Sequence, residues 1–394
     1  MYKSYKFEIY PNNEQKQKIW NNINGTRFAY NWTIQKRKDM HDNGIRFQSF
    51  RNELRNLFVT ESKQLCDGWF KNRKSSPSST ILRNAIADAN ETYDRCGRKS
   101  KFRAKKNTNG RTFKDEIQKK NYFQLGVNAV YISKVGWVKL RFHHKLPLDS
   151  KLKNIRISFN GVKYQVSFCI EQTDENQVSL NKLQSESIGI DLGLKTFATC
   201  SNNKVFLKPD VSKIKKKLKR LQRKASKRHL EMKQQKKDFN KDKSKRLLKL
   251  ELKILKLHKQ ISNILDNNLH QITSSLIKSN PKSIVIEDLK IKNMMKNVST
   301  KEKIIESKFY TFREMLKYKC ERNNIKLIVA NMWYPSSKLC SNCKNIKHDL
   351  KLKDRVYRCD SCNLALDRDL NAALNLKDYE YISMSTDDKL SKFK

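Results

Sequence analysis

Hydrophobic residues change their period several times along this chain, and each change marks an element. Residues 2 to 10 alternate around Tyr5, Phe7 and Ile9, which predicts a short strand stopped by Pro11. Asn12 or Asn13 then caps a helix over EQKQKIWNNIN, which Gly25 is expected to end. Residues 26 to 100 keep a mainly helical pattern carrying Phe28, Tyr30, Trp32, Trp69 and Phe70, interrupted by a Ser/Pro turn from Ser75 to Ser79. Between 121 and 171 the period falls to two. Trp137, Lys139 and Arg141 share one face of a strand, and Val138, Leu140 and Phe142 share the other. The runs IRISF and VKYQVSFCI flank Asn160-Gly161, a strong hairpin signal. These strands predict a small β domain with a basic outer face, closing into a barrel with the N-terminal strand.

A different pattern begins at Ser187. SIGIDLGLKTFATC, SIVIE at 283 to 287 and IKLIVA at 325 to 330 read as buried strands separated by helical stretches. Leu247, Leu250, Ile254, Leu257, Ile261 and Ile264 recur at spacings of 3 and 4. They predict an amphipathic helix in a hairpin within the chain; a self-associating coiled coil is the competing reading. Phe309, Phe312, Leu316 and Cys320 mark a further helix face. Buried strands alternating with helices imply a sheet covered on both faces, and 394 residues allow two or three domains.

Charge moves the question from fold to partner. Lys and Arg total 85 against 39 Asp and Glu, a net +46, more than solubility asks for and self-repelling unless a polyanion neutralises it. Residues 211 to 260 alone hold 21 basic residues against 4 acids, and CGRKSKFRAKKNTNGRTFK from Cys96 to Lys114 interleaves Arg and Lys with Phe102 and Phe113. Such interleaving suits phosphate contacts beside stacking platforms, although any single residue there could equally be a solvated loop position. Nucleic acid is therefore the expected partner. A membrane is the competing polyanion, but no apolar run approaches ~18 residues and MYKSYKFEIYP has no signal-peptide core, so a cytoplasmic protein without a membrane anchor is expected. Five cysteines, Cys66, Cys96, Cys169, Cys200 and Cys320, show no regular spacing and fit core thiols in a reducing compartment.

The other four cysteines carry chemistry. Cys340, Cys343, Cys359 and Cys362 form two C-x-x-C knuckles fifteen residues apart, a spacing suited to one tetrahedral structural Zn²⁺. Asp367 and Asp369 follow at the head of Leu-Asn-Ala-Ala-Leu-Asn-Leu, where capping a helix is one use for a carboxylate. Asp191 sits in a strand that reads as sheet core, where a carboxylate is costly unless paired or metal-bound, and Glu287 ends a second buried strand. Separate acids at the ends of core elements could hold two Mg²⁺ ions ~4 Å apart for phosphodiester displacement. No Gly-x-x-x-x-Gly-Lys loop is present to support P-loop hydrolysis, and no Ser/His/Asp order stands out among seven histidines.

Taken together, GIDLGLK at Asp191, IVIEDL at Glu287, YPSSKLCSNC, the second C-x-x-C and DRDLNAALN resemble the TnpB (OrfB) RNA-guided nucleases of insertion sequences, relatives of compact type V CRISPR effectors. The opening YPNNEQ and GTRFAYNW extend the resemblance over nearly the whole chain. It implies a multidomain α+β protein. A helical recognition lobe (11–120) and a wedge β-barrel (1–10 and 121–182) would precede a RuvC-like, RNase H-type nuclease domain (183–337 and 363–380) with an inserted zinc ribbon (338–362) and a flexible tail (381–394). It also implies guide RNA and target double-stranded DNA as partners, a monomer, and metal-dependent cleavage by Asp191, Glu287 and Asp369 with Mg²⁺. Asp367 is the neighbour held in reserve. A guide-bound repressor or transposition accessory protein that does not cut is the alternative. No motif identifies the residues that would read a target-adjacent DNA sequence.

Overall fold

Two units account for the chain, Met1–Val178 and Ser179–Lys394. The computed structural model describes residues 2–45, 53–65, 76–105, 111–116, 123–124, 128–143, 146, 151–171, 184–235, 243–351 and 354–384. Cys66, Trp69, Phe70, Ser75, residues 106–110 of the basic run and residues 385–394 of the expected tail lie outside them.

The first unit contains one antiparallel sheet of seven strands: β1 (Tyr2–Tyr10), β2 (Thr112–Glu116), β3 (Phe123–Gln124), β4 (Ala129–Ile132), β5 (Gly136–Arg141), β6 (Lys151–Phe159) and β7 (Tyr164–Glu171). Their order is β2-β6-β7-β1-β5-β4-β3, so the N-terminal strand lies at the centre. Period-two alternation turns Phe7 and Ile9 into a core shared with Val138, Leu140, Ile155, Ile157, Val166 and Phe168. Closure differs from the expectation. Among the described residues no ladder joins β2 to β3, and the sheet remains an open half-barrel. Among the described residues the edges pair over little length, five residues at β2 and two at β3, less than the tilt and stagger of a closed barrel require. β2 also places a strand inside the span 11–120 expected as the helical recognition lobe. Its Asp115 is fully buried and accepts the Ser133 N–H at 2.8 Å and the Ser133 hydroxyl at 2.9 Å.

Three helices complete this unit, α1 (Asn13–Asp42), α2 (Glu53–Leu65) and α3 (Ser79–Cys96). Asn12 caps α1 reciprocally with Gln15, the side chain of each accepting the other's backbone N–H. Gly25 does not end α1; the helix runs through it to Asp42. A Cβ at position 25 would lie 2.2 Å from Pro77 Cγ, so this glycine serves a close approach to the turn before α3 and not a helix stop.

The second unit holds a five-stranded sheet of β8 (Ile188–Leu192), β9 (Ala198–Cys200), β10 (Val205–Phe206), β11 (Ser283–Glu287) and β12 (Lys326–Ala330), ordered β10-β9-β8-β11-β12. β11 runs parallel to both β8 and β12, whereas β8, β9 and β10 form an antiparallel meander. Helices α4 (Ser212–Gln234) and α5 (Lys245–Lys278) pair through Ala225, Met232 and Leu247. Then follow α6 (Ile291–Met294), α7 (Val298–Ser307), α8 (Phe309–Arg322) and α9 (Arg368–Met384). The strand period assigns the faces. Ile188, Ile190, Ile284 and Ile286 pack on Leu269, Ile272 and Leu276 of α5 and on Phe309, Phe312 and Leu316 of α8. Val285 turns the other way, onto Leu376 and Tyr379 of α9. Gly189 shares that opposite face, where a Cβ would meet the Ala373 carbonyl oxygen at 2.0 Å and the Lys377 nitrogen at 2.3 Å, so α9 lies directly on the backbone of β8.

Between β12 and α9 lies a small hairpin of β13 (Val356–Arg358) and β14 (Ala365–Asp367). It carries the cysteine ribbon through Asp367, beyond the expected limit at 362, because β14 must pair with β13 after the second knuckle. α9 likewise passes the expected start of the tail at 381 and continues to Met384. No described helix is long and apolar enough to cross a membrane.

Candidate active site and metal centre

The strand period that buries Ile188, Ile190 and Ile286 under α5 and α8 sends Asp191 and Glu287 to the opposite face, at the ends of β8 and β11. α9 covers that face and begins beside them, with Asp369 in its first turn. The structure thus brings Asp191, Glu287 and Asp369 into one cleft of ≈ 590 Å³, which Lys195, Thr196, Thr300, Lys303, Ser336, Ser337, Arg355 and Arg368 also line. Asp367 is not in this lining. It is exposed, and its Oδ1 accepts the backbone N–H groups of Asp369 (2.9 Å) and Leu370 (3.1 Å), which makes it the cap of α9. The two neighbouring aspartates therefore divide the work, one holding the helix start and the other facing the cleft.

Electrostatics sets the cleft acids apart. Burial, reinforced by the Glu287 and Asp369 carboxylates, holds Asp191 well above the ordinary carboxylate range, and Arg368 only partly offsets this. Burial also pushes Glu287 up to about 7; the Leu192 N–H, 3.3 Å from its Oε1, pulls it down, and the Asp369 charge adds to the rise. Such a cluster is relieved by a cation. All its donors are hard oxygens, which suits Mg²⁺ or Mn²⁺ and not a thiolate-seeking metal. The three acids line the cleft without being gathered as closely as the cysteines of the ribbon.

In the ribbon, the ligand atoms of Cys340, Cys343, Cys359 and Cys362 all lie within 4.8 Å of one another. The Cys340–Cys362 and Cys343–Cys359 sulfur pairs are 3.6 and 3.5 Å apart, too long for disulfides. Thiolates 2.3 Å from a tetrahedral Zn²⁺ would be separated by about 3.8 Å, so the set fits that ion. The two knuckles repeat one local geometry. Lys344 and Asn363, each following the second cysteine of its pair, take left-handed φ of 60° and 57°, and donate their N–H to the carbonyls of Cys340 and Cys359. Backbone N–H groups of Cys362 and Ser361 hold the Cys359 thiol below its usual range, and that of Leu364 brings Cys362 down to about 6, so these two favour the thiolate a metal requires; at Cys343 the Asn345 N–H pulls the thiol down, but burial and the other three cysteines push it up to about 12.

Sequence reasoning missed how the ribbon and cleft are joined. Asn371 and Asn375, four residues apart on α9, are both fully buried. Asn371 donates to the Leu339 carbonyl at 2.7 Å and accepts the Ser341 N–H at 2.9 Å. Asn375 donates to the carbonyls of Ser336 (2.9 Å) and Leu339 (2.6 Å). Both therefore clamp the first cysteine knuckle to the helix that carries Asp369. Their signal was present: two amides on one face of an otherwise apolar helical run, LNAALNL.

The chain is similar to known proteins along most of its length. Residues 1–46 match a helix-turn-helix domain model of the OrfB IS605 type, residues 167–298 a model described as "Probable transposase" (OrfB IS605), and residues 309–376 the "Cas12f1-like, TNB domain". A Streptomyces pristinaespiralis protein is 24% identical across 95% of this chain and 88% of its own length. InsQ of Escherichia coli K12 is 26% identical across 95% and 91%; both bear the name "Putative RNA-guided DNA endonuclease". The fold resembles the Cas12f1 chain of a Cas12f1-sgRNA-target DNA complex, with a TM-score of 0.55 at 15% identity over 92% of this chain and 82% of that one. Over its length the chain therefore resembles the TnpB (OrfB) proteins.

Proposed function

We propose that this protein is an RNA-guided DNA endonuclease of the TnpB kind, which cuts target DNA in the cleft beneath α9. The observation that carries the proposal is the convergence of Asp191, Glu287 and Asp369, from three distant parts of the sequence, on one face of the second sheet. The half-barrel and its helices would serve as wedge and recognition lobe, the second unit as a RuvC-like nuclease domain, and the cysteine ribbon as a structural zinc insertion. Guide RNA would be held by basic surface such as the α4 and α5 hairpin, whose lysines leave a few short apolar contacts to join the helices.

Mg²⁺, when bound, supplies charge for the attacking and leaving oxygens of the scissile phosphate. Asp191, Glu287 and Asp369 would hold it. Glu287 is kept in place by the Leu192 N–H, and Asp369 by the capped start of α9. Lys195, Lys303, Arg355 and Arg368 bring positive charge to the same cleft, where the phosphates on either side of the cut must lie.

The test is guided cleavage run beside a binding assay. Asp191→Ala, Glu287→Ala and Asp369→Ala should each abolish cutting while guide and target remain bound. Asp367→Ala should lose only a helix cap, about 1 kcal/mol, and keep cutting. Activity should require Mg²⁺ or Mn²⁺ and fail in Ca²⁺. Full cutting by Asp191→Ala or Glu287→Ala would refute the site. A wild-type protein that binds but never cuts would leave the guide-bound repressor.

A further inference from the structure

An aromatic side chain stands beside the cleft with no role in the core. Trp333 lies in the turn after β12 and is 69% exposed, an unusual state for the largest apolar side chain. The turn is firmly held: the Trp333 N–H donates to Asn331 Oδ1 at 2.9 Å, and the Tyr334 N–H to the Asn331 carbonyl at 2.9 Å. Tyr334 packs edge-on against Tyr379 of α9, and Asn375 holds Ser336. Trp333 is thus an open ring on a rigid support. Its cation partner is Lys290, whose Nζ lies 5.2 Å from the ring centroid. Lys290 adjoins Leu289, and Leu289, Ser336 and Ser337 all line the cleft. The Lys290–Trp333 pair therefore joins two segments that both contribute to the cleft lining, next to the residues that face it.

We infer that Trp333 is a stacking platform for an unpaired nucleobase of the DNA strand entering the cleft, with Lys290 contacting the adjoining phosphate. This rests on the cleft being the cutting site. The occupant follows from the chemistry on the page. An exposed indole beside an ammonium, next to a cleft that Arg355 and Arg368 also line, matches a base with its phosphate. A protein partner covering one tryptophan would have to accept this concentration of positive charge. A base within a duplex is already stacked, so the platform selects single-stranded DNA. It would seat the strand so that its phosphodiester reaches the three carboxylates.

The test uses the guide-loaded protein on targets carrying a single 2-aminopurine, moved one nucleotide at a time along both strands and read in EDTA so that the DNA stays whole. Stacking on indole quenches this base. One or two adjacent positions should be quenched in the wild type and in Trp333→Phe but bright in Trp333→Leu, which keeps bulk and loses the π face. With Mg²⁺, Trp333→Leu should cut about tenfold or more slowly, with guide affinity unchanged, and Trp333→Phe should recover most of the rate. If no DNA position depends on Trp333, or if Trp333→Leu instead loses guide RNA, the inference is overturned. Because quenching is read without cutting, this outcome is independent of whether Asp191→Ala still cuts, which would count against the cleavage site alone.

Discussion

Replacing Glu287 with Gln should make the protein more stable and inactive at once. The carboxyl is raised from 4.5 to about 7, first by burial and then by the Asp369 charge. Ionising a group whose folded value is raised costs the native state. The penalty is absent below about pH 4.5, grows through about pH 7, and is complete above it. At pH 8 it amounts to about 3 kcal/mol. Glutamine keeps the shape and an oxygen for the Leu192 N–H but carries no charge, and its presence also eases ionisation of Asp191, which Glu287 now opposes. In EDTA at pH 8, Glu287→Gln should therefore raise the transition of the second unit by about 6–12 °C, at about 2–4 °C per kcal/mol for a unit of this size. The gain should shrink as pH falls through 7 and vanish near 4.5. Mg²⁺ should reverse the order by stabilising the wild type much more than the variant. Calorimetry over pH 4.5 to 8, with EDTA or Mg²⁺, measures all of this. Superimposable transitions in EDTA, or equal stabilisation of both proteins by Mg²⁺, would refute the reading of Glu287 as a strained metal-ligating carboxylate.

Two further predictions concern the parts that hold the site. The ribbon should contain one tightly held Zn²⁺ per chain by metal analysis; its removal by a chelator, or Cys359→Ser, should unfold the hairpin of β13 and β14 and slow cleavage while sparing the first unit, as hydrogen exchange would report. Gly189→Ala would drive a methyl to within 2.0 Å of the Ala373 carbonyl oxygen and 2.3 Å of the Lys377 nitrogen, both backbone atoms that cannot rotate away. It should cost more than the ~1–3 kcal/mol of ordinary overpacking, seen as a lower melting temperature or loss of soluble protein, whereas Gly44→Ala, which meets no atom but sits at φ 72°, should cost only the roughly 1–2 kcal/mol of a left-handed residue.

Legibility followed from how local each signal is. Period-two alternation around Phe7 and Ile9, and the buried runs at Ile190 and Ile286, can be read directly, because a strand's faces are written into successive residues. The four cysteines are equally plain, since few uses other than a metal need that spacing. Gly25 is ambiguous in sequence: the same residue that ends helices also lets two segments touch, and only Pro77, fifty-two positions later, decides which. Barrel closure depends on which strands pair at the sheet edges, a long-range choice that the alternation within Thr112–Glu116 or the two residues of Phe123–Gln124 does not encode.

The cleft divides in the same way. Its acids stand out because a carboxylate in an apolar strand is rare and costly, so Asp191 and Glu287 are conspicuous among isoleucines. Its cations do not. With 85 Lys and Arg in the chain, nothing in the sequence distinguishes Lys195 and Lys303, which face the cleft, from the many that face water. Composition thus hides the binding surface that it announces. Trp333 escapes this masking for the opposite reason: it is one of only five tryptophans, and its exposure departs from what its chemistry prefers. In so basic a chain, residues that contact nucleic acid are better sought among exposed aromatics held on rigid turns than among the lysines around them, because an exposed ring on a fixed support offers a stacking face that a solvated lysine does not.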